Sequence, residues 1–171
     1  MQETFLSQTA ETAEKLLASI ANLSETQANF KATENIWSVL ECLEHIFIVE
    51  AGIIKTLRIE GQSNEGAESV VNREKVEGFL QNRGFKIEAP DFTAPQGRFK
   101  SLDELKAAFL TKRQELNKLM TTTNLLDGVI VKHPKLGDMT KYDWVHFLIQ
   151  HTNRHIEQVI EIKSHANFPI A

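Results

Sequence analysis

Four stretches of this chain place apolar residues every three or four positions, the period that lets an α-helix bury one face. The first spans residues 3 to 23, with Phe5, Leu6, Thr9, Ala13, Leu16, Leu17, Ile20 and Leu23 on one stripe. A polar connection follows from Ser24 to about Asn35, within which Phe30 is expected to tuck back onto the bundle. The second helix is predicted to begin near Thr33 to Asn35, whose side chains are good caps, and to reach about Ile59, with Gly61 as its stop. A third opens on Ser101-Leu-Asp-Glu104, the spacing of a capping box, and carries Leu102, Leu105, Phe109, Leu116 and Leu119 to about Thr121. After a polar loop that includes His133-Pro-Lys-Leu-Gly-Asp138, Thr140-Lys-Tyr-Asp143 offers a cap for the fourth.

The interval from residue 61 to 100 is the least regular, with one short helix predicted from about Asn72 to Asn82 and ended by Gly84. So long a connection exceeds an ordinary turn; it reads as a crossover that lets the third helix run parallel to the second. Four helices of about 20 residues with this crossover between helices 2 and 3 predict an all-α four-helix bundle. A length of 171 residues, 42% hydrophobic, fits one domain over residues 1–171 with a core that needs no staples.

Composition narrows the function classes. The single cysteine, Cys42, excludes an internal disulfide framework and fits a reducing compartment. No run approaches the ~20 apolar residues of a membrane span, and the N-terminus lacks the basic and apolar regions of a signal peptide, so a cytoplasmic protein is expected. A net charge of −4 with evenly scattered Lys and Arg provides no basic stripe, which argues against nucleic acid as a partner.

The chemistry concentrates in the fourth helix, at His151-Thr-Asn-Arg-His155. Residues four apart project from one helical face, so these two imidazoles can aim at a common point. Trp144, Phe147, Leu148, Val159 and Ile162 share their side, which puts the pair on the core-facing stripe. A buried imidazole without a partner costs a few kcal/mol in a domain whose net stability is ~5–15 kcal/mol, and a shared metal ion would satisfy both. His-x-x-x-His also arises by chance in many helices, and a core histidine is ordinarily hydrogen-bonded to a carbonyl or hydroxyl. In the second helix, His45 lies off the densest apolar stripe, beside Ser38, Glu41, Ile48 and the small Gly52, on a semi-polar face with room beside it.

Taken together, Trp37-Ser-Val-Leu-Glu-Cys-Leu-Glu-His45, then His133-Pro-Lys-Leu-Gly-Asp-Met-Thr140, then His151-Thr-Asn-Arg-His155-Ile-Glu-Gln158 resemble the DinB-like (DinB/YfiT) superfamily of metal-dependent enzymes. The resemblance spans nearly the whole chain, including helix count and crossover. It implies a four-helix bundle holding a divalent metal, commonly nickel or zinc, on one histidine of the second helix and two of the C-terminal turn. Carried over position by position, the ligands are His45, His151 and His155. Three imidazoles leave a coordination position open, as catalytic sites do, so the metal could lower the pKa of a bound water or bind a thiol as thiolate. The family includes both metal-dependent hydrolases and low-molecular-weight-thiol S-transferases, so the substrate is expected to be a small molecule. The alternative is a non-catalytic helical protein whose site is vestigial or structural.

Spacing proposes supporting residues. Glu41, one turn before His45, and Gln158, three residues after His155, are candidates to orient a ligand imidazole or contact bound water, with ordinary interhelical contacts as the alternative for each. Arg154 flanks the histidines as a holder of a substrate carboxylate or as a partner of a nearby acid. Trp37 and Trp144 read as core, Cys42 as a small buried hydrophobe, and His133, His146 and His165 as exposed. A second apolar edge of the fourth helix, Val145, Ile149, Ile156 and Ile160, suits either a neighbouring helix or the interface of a homodimer.

Overall fold

Several helices start at a hydroxyl side chain that accepts a backbone N–H left without a partner in the first turn. The computed structural model describes residues 2–60, 73–82 and 88–170, arranged as six helices and one hairpin. They are α1 (Gln2–Ser19), α2 (Glu25–Ala28), α3 (Val39–Leu57), α4 (Arg73–Gln81), α5 (Leu102–Thr122), β1 (Ile130–His133), β2 (Gly137–Thr140) and α6 (Lys141–Lys163). Ser24, Ser38 and Thr140 form reciprocal capping boxes with Gln27, Glu41 and Asp143. At α5 the box is half made: Ser101 accepts from Glu104 N–H, but the Glu104 carboxylate takes the N–H of Lys100. The second long helix therefore starts later than predicted, because Ser38 captures its first turn ahead of the Thr33–Asn35 caps. The stops predicted at Gly61 and Gly84 lie outside the described residues.

The four long helices form the predicted bundle. Both α1 and α3 pack against α5 and α6, so α1 lies across the bundle from α3. Contacts also fix direction: Glu50 of α3 and Arg58, which caps its C-terminus, meet Arg113 and Glu115 of α5, while the starts of both helices share a separate cluster through Leu40, Leu43, Leu102 and Leu105. Neighbours α3 and α5 are thus parallel, as the crossover required. The apolar edge of α6 is used inside the bundle. Val145 and Ile149 join Phe5 of α1 in one cluster, Ile156 joins Ala13 and Leu16 in the other, and Ile160 alone stays exposed.

The core is divided by a polar layer to which all four helices contribute. Between the two apolar clusters stand Thr9 and Thr12 of α1, Glu50 of α3, Arg113 of α5 and Thr152 of α6, all buried. Arg113 donates to both Glu50 carboxylate oxygens at 2.9 Å, to the Thr9 carbonyl at 2.6 Å and to Thr12 Oγ1 at 3.1 Å. The planar guanidinium pairs with both Glu50 oxygens and still reaches Thr9 and Thr12, which a lysine could not do, while Thr152 donates to the Leu148 carbonyl of its own helix.

Two departures from expectation bear on the site. The loop before α6 contains a hairpin, with β1 antiparallel to β2 and His133 paired with Gly137. Its signals were the β-branched Ile130-Val131 and a glycine after the turn, where Gly137 takes a φ of +85°. Leu136 and Met139 from this hairpin are buried in the cluster that holds Phe5, Val145 and Ile149. The first helix also stops at Ser19, short of residue 23, and the following connection holds the short α2; as expected, Phe30 packs back, edge-on to Phe168 with centroids 5.4 Å apart.

Removing one partner of the polar layer strands a buried charge. Arg113→Met is expected to destabilise the fold by about 3–5 kcal/mol, and adding Glu50→Leu to recover much of that loss. Urea unfolding of the single and double variants reads both quantities.

Candidate metal centre

His45 on α3 and His151 and His155 on α6 meet at the middle of the bundle, each less than a tenth exposed. One side-chain nitrogen from each lies within 4.8 Å of the others. His151 Nε2 stands 3.0 Å from His45 Nε2 and 3.1 Å from His155 Nε2. The antiparallel packing of α3 on α6 brings the distant histidine to the pair, and the i, i+4 spacing supplies the rest.

The outer nitrogens fix which atoms face inward. His45 Nδ1 donates to the Thr93 carbonyl at 2.7 Å, and His155 Nδ1 donates to Gln158 Oε1 at 2.8 Å. A neutral imidazole with its proton on Nδ1 presents a lone pair at Nε2, so two lone pairs point at His151. His151 Nε2–H can be directed at one of them only; the other contact sets lone pair against lone pair. A shared cation removes that conflict, and the two short separations are close to the ~2.9–3.4 Å between nitrogens held at 2.0–2.1 Å from one divalent ion at right-angle to tetrahedral geometry. Protonation is a poor substitute. Burial keeps His45 below its ordinary 6.5 against the Thr93 carbonyl, which raises it. His151 is driven well below that value, first by burial and then by the charges of His155 and His45.

The crossover closes over this site through a residue the sequence reading passed over. Glu44, beside His45 and 2% exposed, accepts the backbone N–H groups of Gln96, Gly97 and Arg98 at 2.9, 3.1 and 3.2 Å. Gly97 has a φ of +67°, a conformation that favours glycine and lets the consecutive amides converge on one carboxylate. Glu44 thereby pins the segment that delivers the Thr93 carbonyl to His45. The Glu-His dipeptide on one helix, with a glycine in the crossover, was the only signal available.

Other assignments are revised by the geometry. Glu41 is turned to Ser38 N–H and Lys31 Nζ, at 2.8 and 2.9 Å, where it caps α3 and makes an ion pair in place of an orienting contact with His45. Arg154 donates to the Leu80 and Asn82 carbonyls at the end of α4, so its charge complements a helix C-terminus. Trp37 and Trp144, expected in the core, are only partly buried and line a cavity of about 1210 Å³ that reaches His45, His151 and His155. Trp37 lies 4.9 Å from the His45 ring, and Phe147 stacks on His151 at 5.3 Å. Gly52 leaves open space where a side chain would stand. Cys42 is buried in the cluster that holds Ala13, Leu16 and Ile156, as the sequence predicts.

Two histidines read as exposed are not. His146 is covered by α4, its Nε2 3.3 Å from the Glu77 carboxylate, with burial holding it below 6.5. His133 is half-buried on the cavity wall, and burial, helped by the charge of Lys135, lowers it to about 4. His165 is exposed as expected and packs beside Phe30.

A family model described as the DinB superfamily matches residues 8–159. A Bacillus subtilis (strain 168) protein named "Uncharacterized protein YuaE" is 26% identical over 145 residues, covering 84% of this chain and 88% of its own. The crystal structure of TT2238, a four-helix bundle protein, superposes with a TM-score of 0.64 at 16% identity, over 94% of this chain and 99% of that one. The last likeness speaks to the fold alone; the family match covers most of the sequence, and this four-helix bundle belongs to the DinB superfamily.

Proposed function

We propose that this protein is a metal-dependent enzyme that holds one divalent cation, nickel or zinc, on His45, His151 and His155 and acts on a small molecule. The observation that carries this reading is the convergence of three buried imidazole nitrogens with two of their tautomers already pinned by Thr93 and Gln158. Such a donor set suits an intermediate cation and leaves it open positions; when bound, the ion supplies a Lewis acid able to activate a water for hydrolysis or a low-molecular-weight thiol for transfer to an electrophile.

The chain's own residues prepare that chemistry. Thr93 and Gln158 hold the His45 and His155 rings in position and raise their donor strength. Trp37 and Phe147 cover two flanks of the histidine cluster and keep bulk water from them, while the cavity beside Gly52 admits a substrate. Family membership supports an enzyme over an inert bundle.

Purified protein reconstituted with zinc or nickel is expected to retain about one ion per chain, and His151→Ala to retain none by elemental analysis. Wild-type protein that holds no stoichiometric ion after reconstitution would defeat the reading. Loaded protein assayed with ester, amide and thiol-plus-electrophile panels is expected to be active in one of the three, and activity that survives in the triple alanine variant would count against a metal mechanism.

Glu44→Gln weakens the hold on the Thr93 segment without touching a ligand, so metal affinity in a chelator competition is expected to fall about 10–100-fold. An unchanged affinity would show that the crossover does not position His45.

Acidity should act on the metal-free fold as well. His45, His133, His146 and His151 all sit below 6.5 when folded, so on acidification the unfolded chain takes up protons that the folded chain refuses. Stability is fully present above about pH 6.5 and is lost as pH falls toward the folded values. Thermal melts at about pH 7.5 and 5.5 are expected to differ by several degrees in that direction; equal midpoints would mean that these imidazoles are not buried in the neutral form.

A further inference from the structure

The His133-Pro-Lys-Leu-Gly stretch is not used by the histidine cluster, yet it forms part of the cavity wall. His133 Nδ1 accepts the backbone N–H groups of Lys135 and Leu136, both at 3.1 Å. An imidazole that accepts at Nδ1 carries its proton on Nε2, and among the described residues no group takes that proton. The ring is also rigidly placed. It packs on Trp144 at 5.3 Å and on Phe147 at 4.8 Å, and Leu136 and Met139 root the hairpin in the core at 4% and 0% exposure. Phe147 is the same ring that stacks on His151. A fixed hydrogen-bond donor therefore stands one aromatic ring away from the histidine cluster, on a wall built of Trp144 and Phe147.

We infer that His133 is a substrate-binding residue, whose Nε2–H donates to an acceptor oxygen, carboxylate or carbonyl, on an aromatic substrate lying along this wall toward His151 and His155. The inference rests on the proposed enzyme for the reaction it serves, but the binding can be read apart from it. Oriented donors of this kind discriminate strongly, because a ligand without the acceptor leaves the donor unpaired.

The test uses ¹⁵N-labelled, zinc-reconstituted protein with two probes, benzoate and benzamide, which share an acceptor oxygen and differ in charge. Binding is expected to shift the His133 Nε2 nitrogen and proton resonances; the tighter probe identifies the acceptor as carboxylate or carbonyl. Resonances that neither probe moves overturn the inference. His133→Asn keeps an acceptor near the turn amides and removes the distal donor, so probe affinity is expected to fall about tenfold. His133→Gln, which returns an N–H to the distal position, is expected to recover much of it. Equal affinity in wild type and both variants overturns the assignment, and if a variant loses the hairpin's cross-strand contacts the wild-type resonances decide alone. Wild-type protein that takes up no zinc defeats the metal reading, while the same titration on the metal-free protein still decides the role of His133.

Discussion

Two imidazole lone pairs face a third ring that has one proton to offer at Nε2, and the structure fixes both of those lone pairs within the protein itself. They are fixed from the outer nitrogens, where Thr93 and Gln158 each hold a proton on Nδ1. Gln158 lies on the helix of its own histidine, so its contact comes with the helix. Thr93 lies 48 residues from His45 and must be brought there. The carboxylate of Glu44 accomplishes this by gathering three consecutive amides of the crossover, so the loop's conformation and the ligand's tautomer are set by adjacent residues of α3.

The bundle tolerates this centre because its middle is already polar. Arg113 and Glu50 satisfy one another and the threonines of α1 in the same zone where the histidines meet on the other side of α3 and α6. A buried ion pair of this kind adds little net stability over an apolar substitute, but it penalises any register that would leave one member unpaired. Sliding α5 by one turn against α3 would strand Arg113. The polar layer thereby helps hold the helices at the offset that the histidine cluster needs, and the apolar clusters above and below supply the stability.

Much of this was legible in the residues. The 3.6-residue period set the four long helices, and the length of the interval before Ser101 set the parallel pairing of α3 and α5, because a chain cannot return to the same end of a bundle through a tight turn. The i, i+4 pair announced His151 and His155 by helical geometry alone, and the family resemblance added His45. What escaped was what depends on contacts between distant segments. Glu41 and Glu44 both lie one turn or less from His45, and nothing local distinguishes the helix cap from the loop anchor; Ser38 decides the first and Gly97 the second. His146 looked solvent-facing because α4, which covers it, is anchored by Arg154 and not by a sequence pattern on α6. The hairpin was hidden by brevity, since four-residue strands barely register as alternation.

The division of labour between helices and connections follows from these contacts. All three imidazoles come from helices, whereas much of the cavity wall comes from three connections: the segment before α3 that carries Trp37, the crossover before α5 and the hairpin before α6. Helix packing requires apolar residues of suitable size at the right period, a condition many sequences meet, which is why a bundle with 16% identity still superposes at a TM-score of 0.64. The described parts of the connections are fastened at separate points, where Glu44 holds the amides before α5, Arg154 holds the end of α4, and Leu136 and Met139 root the hairpin. A bundle built this way can change its cavity wall while leaving the three imidazole nitrogens in place, so in the proposed enzyme the connections would select the substrate and the helices would hold the ion.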